Sequence, residues 1–283
     1  YNKHISTSSA SIKKQNGEVT LFANGISATF RNGILIEIKQ KDEIIPLNNG
    51  PLPVGMKANF KEGYEYMQGN DACYIAKYEG GIDSIVWRMS GDGLLGMEAV
   101  LLNDPKGHGF EGAFFDKKIY NLTFSFPEKE VKGMKWMGRG PYRVWKNRIK
   151  GTNYGIWEKE YNNTITGESF DHLIYPEFKG YHANVYWATL ESDRVPFTVY
   201  SESDGLFFRV FTPLEPVHRR NGENTMWEFP EGDISFLYDI PAMRSGKSIP
   251  ELGPHSQPSS IRIKKGDDGF KMKLWFDFRV EKM

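Results

Sequence analysis

The sequence predicts an all-β protein built as one large antiparallel sandwich, and three observations carry that reading. Short apolar runs recur about every 8–12 residues and are parted by Gly, Asn-Gly or Pro turns. No segment keeps a helical apolar period over the length of an ordinary helix. Aromatic residues make up 14% of the 283 residues, and such side chains favour pleated surfaces.

The elements follow in order. Residues 1–18, Ser-rich and then Lys13-Lys14-Gln15-Asn16-Gly17, read as a linker or entry strand. Val19–Phe22, Ser27–Phe30 and Leu35–Lys39 alternate as strands. Asn24-Gly25 and Asn32-Gly33 part them, and Asn-Gly between alternating runs is the strongest short hairpin signal. Ile44–Leu47 continues the meander, and Asn48–Pro53 reads as a loop by composition. Cys73–Tyr78, Ile82–Met89 and Leu95–Leu102 follow, punctuated by Gly80-Gly81 and Gly91-Asp92-Gly93. Ile119–Phe126 alternates cleanly and Val131–Met137 reads as a strand. Tyr175–Leu190 is a loop feeding a strand. Phe197–Ser201, Leu206–Phe211, Ile234–Tyr238, Ser260–Lys264 and Lys271–Arg279 complete the set. No shift of composition divides the chain, so residues 19–283 are expected to form one domain.

Charge excludes some partners. Lys plus Arg and Asp plus Glu are 36 each, so no excess of either sign points to a polyanion, and nucleic acid is not expected. No apolar run is long enough to span a membrane, so no membrane partner is expected. The single cysteine, Cys73, lies in an apolar run and reads as a buried, inert thiol. The six histidines lack paired ligand spacing, so no metal site is read. No Gly-rich loop opens a helix, so no nucleotide cofactor is expected. The first residue is Tyr1, and the chain reads as a piece of a longer polypeptide.

The stretch Met134–Glu160 is the most distinctive. It holds three Trp, two Tyr, a Gly138-Arg139-Gly140-Pro141 segment and several cations. Gly accepts positive φ and Pro presets its own, so a tight reversal is expected there. Aromatic rings beside hydrogen-bonding forks suit a sugar: rings stack on its C–H face and forks take its hydroxyls. A sheet corner with a hydrophobic plug would use the same residues.

Trp136-Met137-Gly138-Arg139-Gly140-Pro141-Tyr142, followed by Asn147-Arg148, resembles the Trp-x-Gly-x-Gly-Pro segment of the C-terminal small-chain domain of family 2 β-galactosidases. Tyr175–His182 with Val185-Tyr186-Trp187 resembles that domain's Pro-x-Glu-Asn-Gly segment and its following strand. Ile240-Pro241, Leu252–Pro258 and Phe276-Asp277-Phe278-Arg279 resemble its last loop and closing strand. The hairpin Ala28–Leu35 resembles its start. The chain departs from the pattern at Arg143-Val144-Trp145, where the family has Glu-Asn-Tyr, and at His255, where a sugar-lining Trp falls in known members.

The resemblance implies a galactose mutarotase-like supersandwich. It also implies that the two catalytic glutamates lie on a separate barrel, so this chain alone is not expected to hydrolyse glycosides. The implied partners are carbohydrate and the catalytic barrel and other domains of the same parent chain, from a periplasmic or secreted bacterial enzyme. The implied carbohydrate-binding residues are Arg139, Trp145, Glu177, Lys179, His182 and His255. Each has a plainer alternative. Arg139 can be a surface cation, and Trp145 a core or interface ring. Glu177 and Lys179 can pair across their loop. His182 can be a structural histidine, and His255 a solvated one. Two other functions stay open: an autonomous carbohydrate-binding module, and an aldose epimerase with Glu177 as base and His182, or alternatively His255, as acid.

Overall fold

The computed structural model describes residues 8–54, 57–102, 121–144, 151–163, 177–194, 196–211, 233–238 and 270–279. Trp145, His255, the expected strand Ser260–Lys264 and the loop motif 240–258 lie outside these residues.

In chain order the strands are β1 (Ser11–Gln15), β2 (Glu18–Ala23), β3 (Ile26–Arg31), β4 (Ile34–Gln40), β5 (Glu43–Ile45), β6 (Asn48–Val54), β7 (Ala58–Gln68), β8 (Asp71–Gly80), β9 (Ile82–Met89) and β10 (Leu95–Leu101). They continue with β11 (Asn121–Ser125), β12 (Val131–Gly140), β13 (Asn153–Glu160), β14 (Gly180–His182), β15 (Trp187–Ser192), β16 (Phe197–Ser201), β17 (Phe207–Val210), β18 (Asp233–Leu237) and β19 (Phe270–Asp277). Among the described residues the only helical turn is a 3-10 segment at Glu128–Glu130.

The strands form two antiparallel sheets. A ten-stranded sheet runs β1-β2-β3-β4-β6-β11-β18-β17-β14, with β5 attached to β4. A nine-stranded sheet runs β13-β12-β15-β16-β19-β10-β9-β8-β7. The expected all-β sandwich is what forms.

The first four strands are joined as their turn residues dictate. Asn16-Gly17, Asn24-Gly25 and Asn32-Gly33 all sit at positive φ. That geometry is the two-residue hairpin turn matching strand twist. The residues between them alternate, so Leu21, Ala28, Phe30 and Ile38 turn inward and become fully buried.

Aromatic rings from both sheets meet in the core. Trp87 of β9 lies 5.0 Å from Phe30 of β3, 6.4 Å from Phe124 of β11 and 6.2 Å from Phe276 of β19, centroid to centroid. Phe236 of β18 packs edge-on to Phe276 at 6.0 Å and stacks on Phe208 of β17 at 5.2 Å. Edge-on and offset rings at such spacings are favoured pairings.

Four departures from the expected elements have physical causes. Asn48–Pro53 is not a loop but most of β6. Proline cannot donate to a ladder, and β6 touches β4 at one pair, Leu35↔Gly50, and breaks register against β11. Strand β7 is largely exposed, with Phe60, Tyr64 and Tyr66 spaced along it outside the core, so it carries no buried apolar run to read. Strand β13 shows a similarly exposed pattern and gave no strand signal. Finally, β12 runs on through Gly138 and Gly140, which are extended rather than turned. Close approach is why glycine stands there. A Cβ at Gly140 would fall 2.5 Å from the Trp157 ring, and one at Gly138 would fall 3.0 Å from the Ala183 carbonyl.

Candidate functional site

The Met134–Glu160 stretch contributes to two different places, one inside the sandwich and one on its surface. Strand alternation separates them. On β12, Met134 and Trp136 point inward and are fully buried, while Lys135, Met137 and Arg139 take the outer face.

The inner place is a cluster of charges. Past Pro141 the chain returns beside β14, where Val144 N–H donates to the Tyr181 carbonyl at 2.7 Å. The Arg143 stem then lies against Gly180, where a Cβ would meet it at 2.5 Å. Gly180 also has φ +143, so glycine is required on both counts. The Arg143 guanidinium faces Glu177 at 3.7 Å, and their side chains are only 7% and 4% exposed. Lys159 of β13 donates to the Glu177 carbonyl. Lys179 pairs with Glu128 at 2.7 Å, and Tyr161 donates to the same carboxylate. Glu177 and Lys179 therefore find separate partners, the buried Arg143 side chain and the half-buried Glu128, instead of each other.

His182 lies at the heart of this cluster. It is fully buried, with its ring edge-on to Trp136 at 4.8 Å. Neither ring nitrogen has a hydrogen bond of normal geometry. Burial pushes its pKa down to about 3, and the Lys159 and Arg143 charges push the same way. The Phe178 backbone opposes them without making such a bond. His182 is thus a neutral ring at ordinary pH. Lys159 is also drawn down, to about 8, by burial and by Arg143, against the pull of Glu177.

A titration consequence follows. The folded pKa of His182 lies below the unfolded value of about 6.5, so the unfolded chain binds more protons between about pH 3 and pH 6.5. Stability is unaffected above that window and falls as pH drops through it, by up to about 1.4 kcal/mol per pH unit. Denaturant unfolding at pH 7 and pH 4.5 checks this. The pH-dependent loss is expected to be about 2–3 kcal/mol smaller in His182→Leu than in the wild type. Equal losses in the two proteins would contradict the assignment.

The outer place centres on Arg139, the one described candidate that reaches the surface. Its guanidinium lies 4.7 Å from the Tyr154 ring centroid, a cation–π geometry. Its Nη1 donates to the Thr152 carbonyl at 3.4 Å. Cross-strand pairing of Arg139 with Tyr154 sets this up. Tyr186 joins them, 6.5 Å from Tyr154, because its N–H donates to the Met137 carbonyl. Tyr154 is 52% exposed and its strand neighbour Ile156 is 61% exposed.

Sequence reading missed Tyr154 and Tyr186, although both lie in stretches it singled out. Of the six implied sugar residues, Arg139 is at this surface. Glu177, Lys179 and His182 are in the buried cluster. Trp145 and His255 lie outside the described residues. Cys73 is fully buried. Among the described residues no three His, Cys, Asp or Glu side chains gather as a metal site, and no helix is long and apolar enough to cross a membrane.

No protein-family model matches this sequence, and no curated protein matches it.

Proposed function

We propose that this chain is a non-catalytic carbohydrate-binding sandwich, the C-terminal domain of a β-galactosidase-like glycoside hydrolase, where it caps the active site of the parent barrel. The observation that supports this reading is the surface formed by Arg139, Tyr154 and Tyr186. It stands on the Gly-Arg-Gly-Pro segment that carries the family resemblance. The two rings offer stacking faces, and the guanidinium, held by Tyr154 and the Thr152 carbonyl, keeps donors for hydroxyls. A bound sugar would lose little entropy to side chains already held in place.

A second reading, the autonomous binding module, draws on the same surface, because β12, β13 and the Tyr186 segment of this one chain complete it. The epimerase reading finds no such support. His182 and Glu177 are buried, and each is packed against neighbours of the core.

Calorimetric titration of the chain with galactose, lactose and plant-wall oligosaccharides tests the proposal. Saturable heat is expected, weakened about tenfold or more by Tyr154→Ala and by Arg139→Ala, a loss of about 1.4 kcal/mol. Saturable heat that neither variant changes would place the sugar elsewhere and overturn the assignment of this surface.

A further inference from the structure

The outer face of the nine-stranded sheet carries more than the Arg139 corner. One cross-strand row runs over it in unbroken register. It passes from Ile156 on β13 to Met137 on β12, Trp187 on β15, Tyr200 on β16, Trp275 on β19 and Gly96 on β10. Arg88 on β9 then leads to the far end. Residues that share a row share a face, so Trp187, Tyr200 and Trp275 are successive aromatics on three adjacent strands. All three are half-buried.

Trp275 is fixed flat against the sheet. A Cβ at Gly96 would fall 2.7 Å from its ring, so the indole occupies the space that a side chain would fill. Its Nε1–H donates to Glu202 at 2.7 Å. The ring also lines an open cleft of about 700 Å³ on this face. Polar groups flank the row on both sides. Glu98 and Lys273 pair at 3.0 Å on one side, and the Thr189 and Thr198 hydroxyls meet at 2.8 Å on the other.

We propose that this row is a track for an extended neutral glycan, with Trp275 and Trp187 as stacking platforms and the cleft as its broadest subsite. The inference rests on the carbohydrate-binding reading above but concerns different residues. Three features select the ligand. Adjacent strands lie about 4.8 Å apart, close to the length of one β-linked pyranose, so a chain crossing the strands meets about one ring per strand. The flanking carboxylates and ammonium groups of Glu98, Glu202 and Lys273 are suited to sugar hydroxyls. The cleft is lined by Asp71, Asp92, Glu98 and Glu202 with Arg88 and Lys273, and Arg279 and Lys271 pair with Asp92 and Glu98, so it offers no excess of positive charge. That balance disfavours acidic glycans. It also disfavours single-stranded nucleic acid, which would use the same aromatic faces but needs a positive groove.

Affinity electrophoresis of the chain through gels containing mixed-linkage β-glucan, β-galactan or xyloglucan tests the track, with polygalacturonate as the acidic control. Retardation by at least one neutral polymer is expected, weakened tenfold or more by Trp275→Ala and by Trp187→Ala. Trp275→Phe keeps a ring over Gly96 and is expected to lose only a few-fold, which separates a lost platform from a lost fold. Polygalacturonate is expected to leave mobility unchanged. Retardation by no neutral polymer, or retardation that both Trp→Ala variants leave intact, would overturn the track. Lactose heat that depends on Tyr154 while no polymer retards the chain would remove the track and leave the Arg139 surface standing. Loss of both signals would remove both.

Discussion

Glu177→Gln is expected to destabilise the fold by about 3–5 kcal/mol, because it removes the buried carboxylate that faces the Arg143 guanidinium. The pair is almost wholly enclosed, at 7% and 4% side-chain exposure. Breaking such a pair costs far more than the pair contributes against apolar replacements. The amide keeps the shape of the side chain, and Lys159 still has the Glu177 backbone carbonyl. The loss therefore reports on the missing charge. The double variant Arg143→Met, Glu177→Leu removes both charges together and is expected to regain most of the stability. Lys132 and Asp193 provide a contrast: that pair is 55% and 72% exposed, and Asp193→Asn is expected to change stability by less than about 1 kcal/mol. Urea unfolding of the four proteins checks the series. A loss below about 1 kcal/mol in Glu177→Gln would show that water reaches Arg143.

Trp87→Ala is expected to cost about 3–5 kcal/mol, the usual range when a large buried ring is truncated to a methyl. Trp87 is fully buried and touches rings from β3, β11 and β19, so its loss opens a void between both sheets. Trp87→Phe should lose less than half as much. The indole Nε1–H is buried with no hydrogen-bond partner, so phenylalanine removes an unsatisfied donor along with some volume. The two effects oppose each other, whereas alanine leaves a much larger void. Thermal and urea unfolding of both variants check the ratio. Equal losses would mean that the indole nitrogen is satisfied in solution.

The parts of the fold that sequence reading reached are those with local causes. Asn24-Gly25 and Asn32-Gly33 need no distant partner to turn the chain, and β2, β3 and β4 came within a few residues of their expected bounds. Strands without a local signature were missed. Strand β7 is largely exposed, and β6 is written in prolines and asparagines. The glycines of Gly138-Arg139-Gly140 were correctly marked as special but for the wrong reason. Their cause is Trp157 on the next strand and the chain near Ala183, neither of which a turn rule consults.

The candidate site divides along the same line. Arg139 was legible because it sits in a distinctive local motif. The partners of Glu177 and Lys179 were not, since Arg143 and Glu128 reach them only once β12, β13 and β14 are assembled. Sequence proximity suggested instead that the two would pair with each other. The aromatic row is the extreme case. Gly96 and Trp275 come from distant parts of the chain and meet only through the pairing of β10 with β19. Side-chain alternation within one strand says which residues share a face, but only register says which strands line up.

Hydroxyl-radical footprinting of the chain, with and without a saturating neutral β-linked oligosaccharide, tests whether sugar lies on the nine-stranded sheet. It reads the solvent exposure of individual rings. Tyr154 and Tyr186 are expected to be protected on sugar binding, with Trp187 and Trp275 joining them as the oligosaccharide lengthens. Phe22, exposed on the other sheet, should be unchanged. Protection confined to the ten-stranded sheet, or no protection of any ring on the nine-stranded sheet at saturation, would contradict that placement.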